Sequence, residues 1–566
     1  MSKDFDSVLA KAHAWAAQDP DPETVAELSS VLEKATAGST ADSDLLRQRF
    51  TGRLTFGTAG LRGPLGFGPQ AMNRIVVSQT TAGLASFLLS KAGTMPKSLR
   101  VVVGYDSRKN SAVFARDTAE VLAGLGIEVL LTPHQVATPI VAFAVRHLQC
   151  DAGVMITASH NPPQDNGYKV YFGGNDEGSQ IIPPADYNIE AAINHVVQTM
   201  TLQKIPRSSK GISETPESLL NDYTSMTLAS LSSCRPSHPK LVTVYTPLHG
   251  VGRDTFMATV AAAGFPAPHV VSAQAEPDAA FPTVAFPNPE EPGALDLSFK
   301  LAREVQADLI LANDPDADRL AVAVPDSKSE SGYRPLTGNQ LGAILGWWAA
   351  SRAHRQNRHG ALANSIVSSP VLGKIAAHFS LTHEETLTGF KYVSRVPNLI
   401  FGFEEALGYL VTPDVVRDKD GISAGLTVLD IAYALSAQGK TLEDYLSTIE
   451  ETIGCFASGQ VTIRLEQTDG TPSLSELLRT NPPQQIGPRA VVSADDFLEG
   501  VGNFPKDNIL RYTLEGGARV IVRPSGTEPK LKIYIDTTGP TRGSAELLRD
   551  EVNTDMRGII RNLKGA

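Results

Sequence analysis

Short runs of β-branched and other apolar residues alternate along the chain with longer segments in which apolar residues recur at helical spacing. Each run is typical of a buried strand, and each longer segment of an amphipathic helix. This alternation predicts α/β layers with largely parallel sheets. The predicted strands are Leu99–Gly104, Ile127–Leu131, Ala152–Thr157, Leu241–Tyr245, Asp308–Ala312 and Ala361–Val367. The helices predicted between them include Val113–Leu125, Phe256–Ala263 and Leu341–Arg352.

The two ends of the chain follow different patterns. Residues 1–50 are predicted to be helical, and Thr24 and Glu27 have the spacing of a capping box that starts a helix. After about Gly454, alternating strands precede a terminal helix at Ser544–Leu563, which predicts an α+β module. Polar and Pro-rich stretches then suggest the boundaries between domains. The predicted segments are an N-terminal extension 1–50, α/β domains 51–205, 206–328 and 329–453, and a fourth domain 454–566.

The overall charge limits the kinds of partner. The chain has 50 basic and 61 acidic residues, a formal net charge of −11, which argues against nucleic acid or an anionic membrane as the main partner.

No apolar run reaches about 18 residues, so no spanning helix is expected. The polar N-terminus lacks a signal-peptide pattern, and three widely spaced cysteines fit a reducing compartment. We therefore expect a cytoplasmic protein, which must gather local positive charge if its substrate is anionic.

The segment Thr157–Pro163 directly follows a predicted strand and contains Ser159 and His160. Ligands of open α/β sheets sit at the ends of strands. Small residues allow a sharp turn here that would expose the Ser159 hydroxyl. Lys169 follows close in the sequence and would be useful against a phosphate. A plain Ser/Asn/Pro turn remains the alternative interpretation of these residues taken alone.

The segment Asn313–Arg319 carries aspartates at three alternate positions, Asp314, Asp316 and Asp318, after another predicted strand. If the loop curls, their oxygens can converge on one hard cation such as Mg²⁺. An EF-hand is excluded, because its Gly and Glu positions hold other residues. A solvated acidic turn is the remaining alternative, and apolar strands on both sides weaken it.

Two further stretches carry polar groups suited to a sugar phosphate. In Arg523–Lys530, an Arg, two hydroxyls and backbone amides around a Gly can form a phosphate cradle, with a basic hairpin turn as the alternative. In Gly402–Tyr409, Glu404 and Glu405 can accept hydrogen bonds from vicinal hydroxyls. Lys391 stands alone in a strand-like context. Neither a P-loop nor a dinucleotide fingerprint is complete, so neither ATP nor NAD is indicated.

Six segments, which follow one another along the chain in the order listed below, resemble the α-D-phosphohexomutase superfamily. The loop Phe403–Tyr409 is similar to the phosphoglucomutase/phosphopentomutase branch of that superfamily. That loop departs from the bacterial phosphomannomutase pattern, whose histidine has no match here. The resemblance implies three similar mixed α/β domains and a C-terminal α+β domain like the TATA-box-binding protein. The matching segments are Phe56–Gly63, Thr157–Pro162, Asn313–Arg319, Gly389–Tyr392, Gly402–Tyr409 and Arg523–Lys530.

The resemblance also implies a role for each site residue. Ser159 is expected to be the phosphoserine, with its phosphate joining three aspartates around Mg²⁺; those aspartates are Asp314, Asp316 and Asp318. The groups expected to surround the transferring phosphoryl group or to assist proton transfer are His160, Arg62, Lys169 and Lys391. Those expected to bind substrate are Arg319, Glu404, Glu405, Arg523, Ser525, Gly526 and Thr527.

The implied activity is the interconversion of glucose 1-phosphate and glucose 6-phosphate through the enzyme phosphoserine and a sugar 1,6-bisphosphate, with glucose 1,6-bisphosphate as activator. Phosphopentomutase, phosphomannomutase or glucose 1,6-bisphosphate synthase activity stays open on the same scaffold. A non-catalytic sugar-phosphate-binding protein is the alternative from another class, and it would be expected to have a damaged Ser or Asp motif. Small-molecule sugar phosphates are the expected partners of a monomer or homodimer.

Overall fold

The structure, a computed structural model, describes residues 3–57, 60–92, 98–230, 241–464, 473–524 and 530–563. The chain divides into two compact units. Unit 1 takes in the described residues up to Pro335 together with Gly389–Arg395 and Gly408–Ala437, and unit 2 takes in Leu336–Thr388, Val396–Leu407 and the residues from Gln438 onward. None of the helices in the described part of the chain combines the length and apolar character that crossing a bilayer requires.

The first part of unit 1 is built on a mixed seven-stranded sheet. Its elements in chain order are α1 (Lys3–Ala16), α2 (Pro22–Thr36), α3 (Thr40–Phe50), β1 (Leu61–Pro64), α4 (Arg74–Ala92), β2 (Arg100–Tyr105), α5 (Ser111–Gly124), β3 (Glu128–Leu131), α6 (Thr138–His147), β4 (Ala152–Ile156), β5 (Asp165–Phe172), β6 (Ser179–Gln180), α7 (Ala185–Thr199), β7 (Ile212–Glu214) and α8 (Leu219–Ser230). The strand order is β1-β5-β4-β2-β3-β7, with β6 paired to β5. The strands from β4 to β7 along this path are parallel.

Parallel strands packed by helices on both faces have no solvent side, which explains why β4 is apolar and buried throughout. The sheet also extends beyond residue 205, because β7 pairs with β3. The predicted domain limit at that residue therefore falls before the last strand of this sheet.

The N-terminal extension is helical, as predicted, and it completes the first core. Phe5, Leu28 and Phe50 are buried in the same hydrophobic cluster as Val101 and Val103 of β2. The predicted capping box is wrong: α2 begins at Pro22, and the Asp21 side chain caps it by accepting a hydrogen bond from the backbone amide of Glu23. The helix starts earlier than predicted because a proline fits its first turn, where a backbone donor is not needed.

A second, five-stranded sheet completes the part of unit 1 before residue 336. Its elements are β8 (Thr243–Thr246), α9 (Arg253–Ala262), β9 (His269–Val270), α10 (Asp296–Val305), β10 (Leu309–Asn313), β11 (Leu320–Pro325) and β12 (Tyr333–Pro335). The strand order is β12-β11-β10-β8-β9. Strands β10 and β11 pair antiparallel, with Asn313 opposite Leu320, so the loop between them projects from one end of the sheet. Five consecutive buried residues in β10 fix that loop firmly to the core.

The next part of the chain contributes to both units. Its elements are α11 (Gly338–Arg355), β13 (Ala361–Ser365), α12 (Val371–His378), β14 (Thr382–Thr386), α13 (Phe390–Val393), β15 (Leu399–Glu404), β16 (Gly408–Leu410) and α14 (Gly421–Ser436). In unit 2, β13 pairs in parallel with β14 and β15. Elements α13, β16 and α14 belong to unit 1. The chain thus returns twice to the unit that holds the first two sheets.

The last part of the chain forms an antiparallel sheet. Its elements are α15 (Leu442–Ile453), β17 (Cys455–Arg464), α16 (Leu474–Thr480), β18 (Gln485–Ile486), β19 (Arg489–Asp496), β20 (Leu510–Leu514), β21 (Arg519–Pro524), β22 (Lys530–Gly539) and α17 (Arg542–Leu563). The strand order is β17-β22-β21-β20-β19-β18. Val552 and Met556 of α17 pack with Ile533 in one buried cluster, so the helix covers a face of this sheet. The predicted fold class, mixed α/β layers followed by an α+β module, is confirmed.

Candidate active site

Ser159 lies in a tight turn after β4. Its backbone amide donates to Thr157 Oγ1 at 2.8 Å, and its φ of 52° is in the left-handed region, where a residue other than glycine is uncommon. The residue is only 3% exposed. Its hydroxyl donates to Asp314 Oδ2 at 3.0 Å, although the two residues are 155 positions apart in the chain. The folded chain therefore brings together the two loops that the sequence analysis selected separately.

The three alternating aspartates converge because their loop curls. Ala317, between the second and third of them, has a φ of 54° and reverses the chain. One carboxylate oxygen from each of Asp314, Asp316 and Asp318 lies within 4.8 Å of the others, and all three side chains are buried. The loop also requires a glycine at the neighbouring position 250, because a Cβ there would lie 2.3 Å from Pro315 Cα.

Two lysines compensate the charge of the triad. Lys169 Nζ donates to Asp316 Oδ2 at 2.8 Å and to Asp318 Oδ2 at 3.0 Å, and Lys419 Nζ lies 3.1 Å from the same Asp318 oxygen. Burial alone would raise the pKa of Asp318, but Lys169, Lys419 and Arg319 outweigh it and lower that pKa below its usual range. Burial would also lower the pKa of Lys169, yet the two aspartates outweigh it and raise the pKa. The negative charge of the triad is therefore balanced by ion pairs inside the protein.

Lys419 and Thr138 are parts of this centre that sequence reasoning missed. Thr138, at the start of α6, donates from Oγ1 to Asp316 Oδ2 at 2.6 Å. Lys419 stands just before α14, where Asp420 caps the helix by accepting from the amides of Ile422 and Ser423. The charged run Arg417–Asp420 ahead of an apolar helix was the available signal, but a helix cap alone explains such a run equally well.

The donor set of the triad fits a divalent cation. Among the described residues, neither Asp316 Oδ1 nor Asp318 Oδ1 has a hydrogen-bond partner, although both atoms are buried. Burial beside Asp316 and Asp318 raises the pKa of Asp314 well above its usual value. Buried carboxylate oxygens without partners are costly, and a cation with oxygen ligands relieves that cost. These residues can hold a metal ion.

His160 lies beside the serine hydroxyl, and Arg62 bonds to the same loop. His160 Nδ1 lies 3.3 Å from Ser159 Oγ. Burial, together with the charges of Arg319 and Arg62, lowers the pKa of His160 well below its usual value, so the ring is neutral near pH 7. Arg62, in β1, donates to Asn161 Oδ1 at 2.9 Å. A neutral imidazole next to a hydroxyl can accept or return a proton.

Arg319 and Lys391 also lie in unit 1. The Arg319 backbone amide donates to Asp314 Oδ1 at 3.0 Å, and its guanidinium is 3.7 Å from Glu290 Oε2. Lys391 is 2% exposed and lies in α13. The strand-like context predicted for Lys391 is wrong, because the glycine before it, Gly389, adopts a φ of 122° and starts a helical turn.

The predicted substrate loops lie in unit 2. Glu404 ends β15, and Glu405 follows it. Ser368 Oγ donates to Glu405 Oε2 at 2.9 Å and accepts from the Glu405 amide at 3.0 Å, so this acid is anchored by a neutral hydroxyl. Arg523, partly buried near the end of β21, is in register with Lys532 of β22. Ser525, Gly526 and Thr527 lie outside the described residues.

Four domain models of one family match the chain in order. They are phosphoglucomutase/phosphomannomutase alpha/beta/alpha domain I at residues 53–200, domain II at 221–328, domain III at 337–452, and the C-terminal domain at 481–554. These matches cover well over half of the chain, so the chain belongs to the phosphoglucomutase/phosphomannomutase family. The predicted superfamily is thereby confirmed. So is the predicted class of enzyme, an intramolecular phosphotransferase, which is a kind of isomerase.

The match between this chain and its curated relatives extends over nearly the whole length of each relative. A "Probable phosphomannomutase" of Haemophilus influenzae is 47% identical over 492 residues, 87% of this chain and 98% of the relative. Human phosphopentomutase is 36% identical, over 91% of this chain and 90% of its own length. A Staphylococcus aureus phosphoglucomutase is 35% identical, over 87% and 91% respectively. The family is shared among these relatives, while the sugar in their names differs.

Two solved structures show the same fold. The Paramecium phosphoglucomutase pp63/parafusin, in its open form, superposes with a TM-score of 0.69 at 18% identity, covering 90% of this chain and 96% of its own. A phosphoglucomutase/phosphomannomutase family protein of Burkholderia thailandensis superposes with a TM-score of 0.67 at 18% identity, covering 90% and 97% respectively.

Proposed function

We propose that the chain is a phosphohexomutase that interconverts glucose 1-phosphate and glucose 6-phosphate through a phosphoserine at Ser159 and a sugar 1,6-bisphosphate. The observation that carries this proposal is the 3.0 Å hydrogen bond from Ser159 Oγ to Asp314, within a buried triad of carboxylates that can hold a metal ion. A hydroxyl has no reason to be buried against three acids for stability alone, because the acids themselves are costly to bury.

The reaction moves one phosphoryl group in each half. In the first half, the Oγ–P bond of phosphorylated Ser159 breaks as a sugar hydroxyl oxygen bonds to phosphorus. The hydroxyl proton leaves to a nearby base, and Ser159 Oγ is released. The resulting bisphosphate then turns around, and its other phosphoryl group returns to Ser159 Oγ. No cosubstrate is consumed, so the reaction is freely reversible.

In such a transfer, catalysis depends on alignment and charge neutralisation more than on covalent chemistry. Lys169, Arg62 and Arg319 supply positive charge around the serine, and neutral His160 is placed to exchange a proton with its oxygen. We assign Lys391 to the same group. The aspartates would hold Mg²⁺, which neutralises phosphoryl oxygen charge when bound.

Recognition of the rest of the sugar phosphate is assigned to unit 2. Glu404 and Glu405 would accept hydrogen bonds from sugar hydroxyls. The phosphate that is not reacting would be held by Arg523 together with Ser525, Gly526 and Thr527. Because the bisphosphate turns around, this cradle must accept a phosphate from either end of the sugar. The proposal is supported by the half-buried position of Arg523 at a strand end.

The named activities of the relatives leave a second candidate. The relative that is 47% identical carries a phosphomannomutase name, which favours mannose phosphate as an alternative substrate. Coupled assays on glucose 1-phosphate, mannose 1-phosphate and ribose 1-phosphate, compared by kcat/KM, separate the mutase activities. We expect glucose 1-phosphate to give the highest kcat/KM, and a higher kcat/KM for either other sugar phosphate would replace the proposed substrate.

Glucose 1,6-bisphosphate is proposed as activator.

The intact mass of the protein before and after incubation with glucose 1,6-bisphosphate and Mg²⁺ tests the phosphoserine directly. We expect a gain of one phosphoryl group, located on Ser159 by peptide mapping and lost on incubation with excess sugar monophosphate. A protein that binds sugar phosphates yet never gains or loses this group would be a non-catalytic binding protein. A cytoplasmic location and a monomeric or homodimeric state belong to the proposal, and fractionation and light scattering check them.

A further inference from the structure

We propose that Arg108 is a positioning residue for phosphoryl transfer, because its guanidinium holds the loop that presents Ser159. Arg108 was not singled out in the sequence. It follows β2, and its two terminal nitrogens donate to backbone carbonyls of the loop after β4 and of the first residue of β5. Nη1 bonds the carbonyls of Pro162 at 2.7 Å and Asp165 at 3.1 Å, and Nη2 bonds that of Ser159 at 2.7 Å and that of Asn161 at 2.5 Å.

These four contacts meet a backbone that needs support. Ser159 adopts a φ of 52°, and a residue other than glycine in that region stores strain that the surroundings must compensate. One local bond helps, the 2.8 Å contact from the Ser159 amide to Thr157 Oγ1. Further along the loop, the Asn161 amide donates to the Ala158 carbonyl at 3.0 Å and Arg62 donates to Asn161 Oδ1 at 2.9 Å. Arg108 differs from these restraints in that it bonds the carbonyl of the serine itself. Without it, the hydroxyl would lose its fixed direction toward Asp314.

The cost of burying this arginine shows that the arrangement is specific. The side chains of Arg108 and Asp106 are both fully buried, with Arg108 Nε 3.4 Å from Asp106 Oδ2. Burial lowers the pKa of Arg108 and raises that of Asp106. A buried ion pair contributes little net stability. A role in fixing one conformation of the loop accounts for its presence.

We call the four hydrogen bonds from Arg108 to these backbone carbonyls the clamp. Phenylalanines of the Pro-rich segment 275–293 pack next to it. The ring of Phe281 lies 5.1 Å from Arg108 Cζ, and the ring of Phe286 lies 6.1 Å from that of His160, edge to face. Phe281 is 1% exposed, so water is kept from the guanidinium and its hydrogen bonds are strengthened. Lysine cannot replace this group, since its single ammonium lacks the planar fork that reaches four carbonyls.

The inference rests on the proposed phosphoserine at Ser159, and the experiment separates the two. The probe is glucose 1,6-bisphosphate with Mg²⁺, and the measurement is the rate at which the full chain gains a phosphoryl group on Ser159, by intact mass. We expect Arg108→Ala and Arg108→Lys to slow this gain and kcat by roughly 10²-fold, the effect of misplacing a reacting atom by about 1 Å. KM for the sugar monophosphate should stay near the wild-type value.

Added guanidinium chloride at millimolar concentration should partly restore the rate of Arg108→Ala, and not that of Ser159→Ala. Arg74→Met is the matched control: Arg74 also pairs with a buried aspartate of this domain, Asp117, at 2.7 and 2.8 Å, but it has no part in the clamp. We expect this variant to gain the group at the wild-type rate.

Each outcome decides one of the two statements. No labelling of the wild type, or continued labelling of Ser159→Ala, would overturn the phosphoserine itself. Wild-type labelling rates in both Arg108 variants would overturn the clamp while leaving the phosphoserine intact. Should Arg108→Ala fail to fold by circular dichroism, Arg108→Lys decides; loss of folding in both would assign Arg108 to stability of the domain and overturn the positioning role.

Discussion

The predicted site residues of the two units have charged side chains in opposite surroundings. In unit 1, charges are buried against charges: Lys169 and Lys419 lie on a triad of aspartates that has almost no exposure. In unit 2, Glu405 is held by neutral hydroxyls, and Arg523 is only half-buried. A buried network fixes geometry at high cost if any member is lost, whereas a half-buried group at a strand end stays available to a ligand. We therefore expect changes at Ser159 and the aspartate triad to affect the chemical step, and changes at Glu405 and Arg523 to affect binding.

The largest effect is expected for Ser159→Ala. Removing the proposed nucleophile should lower kcat by roughly 10⁴-fold or more. The reason is that the phosphoenzyme cannot form without it, and substrate binding alone does not supply that route. The melting temperature should change little, because one hydroxyl contact is lost. Steady-state kinetics and a thermal melt of the same preparation check both parts. Mutase turnover close to wild type would exclude this serine and with it the contrast between the units.

Removal of the metal should have the next largest effect. Chelation by EDTA should lower kcat by roughly 10³-fold, the scale of losing a preorganised electrostatic group, and Mg²⁺ should restore it. Asp318→Asn should weaken Mg²⁺ binding measured by calorimetry, because it removes one of three converging carboxylates.

Asp326→Asn is the matched control in the same sheet domain, since Asp326 lies in a surface turn after β11. Equal Mg²⁺ affinity in the Asp318 and Asp326 variants would show that the triad is not the metal site.

A smaller effect on a different parameter is expected for Arg523→Ala. A charge-assisted hydrogen bond to phosphate is worth about 1.5–3 kcal/mol, so KM should rise by roughly 10- to 100-fold with kcat little changed. The reason is that the proposed cradle binds the distal phosphate in the ground state and the transition state alike. Lys532→Ala, in register with Arg523 on the neighbouring strand, shows whether nearby positive charge alone is sufficient. A fall in kcat at unchanged KM would place Arg523 in the chemical step and remove the contrast.

The smallest effect is expected for Ser368→Ala, which removes the hydroxyl that bonds both the side chain and the amide of Glu405. The free energy of unfolding of this part of the chain should fall by about 1–2 kcal/mol, as for a buried hydrogen bond left unmade. Denaturant titration measures it. Ser473→Ala, which removes the cap of helix α16, is a control of similar cost that should leave KM unchanged. If Ser368→Ala likewise left KM unchanged, Glu405 would not need its anchor for substrate binding.

Local patterns in the sequence were sufficient for much of this protein. Apolar runs of strand length predicted six strands with parallel neighbours, because burial on both faces of a sheet imposes that pattern directly. These strands are β2, β3, β4, β8, β10 and β13. The Ser159 turn and the alternating aspartates were found because each is a short motif at the end of a strand. Motif order alone indicated the family.

Contacts between distant residues decided the rest. Lys169 meets Asp316 across 147 positions and Arg108 meets Ser159 across 51, and no local pattern encodes which lysine or arginine of many will do so. The same limit explains why Lys391 was predicted in a strand-like context and is found in a buried helical turn. Sequence specifies which groups are available, but desolvation and pairing depend on what the fold packs around each of them, and only the tertiary structure determines that.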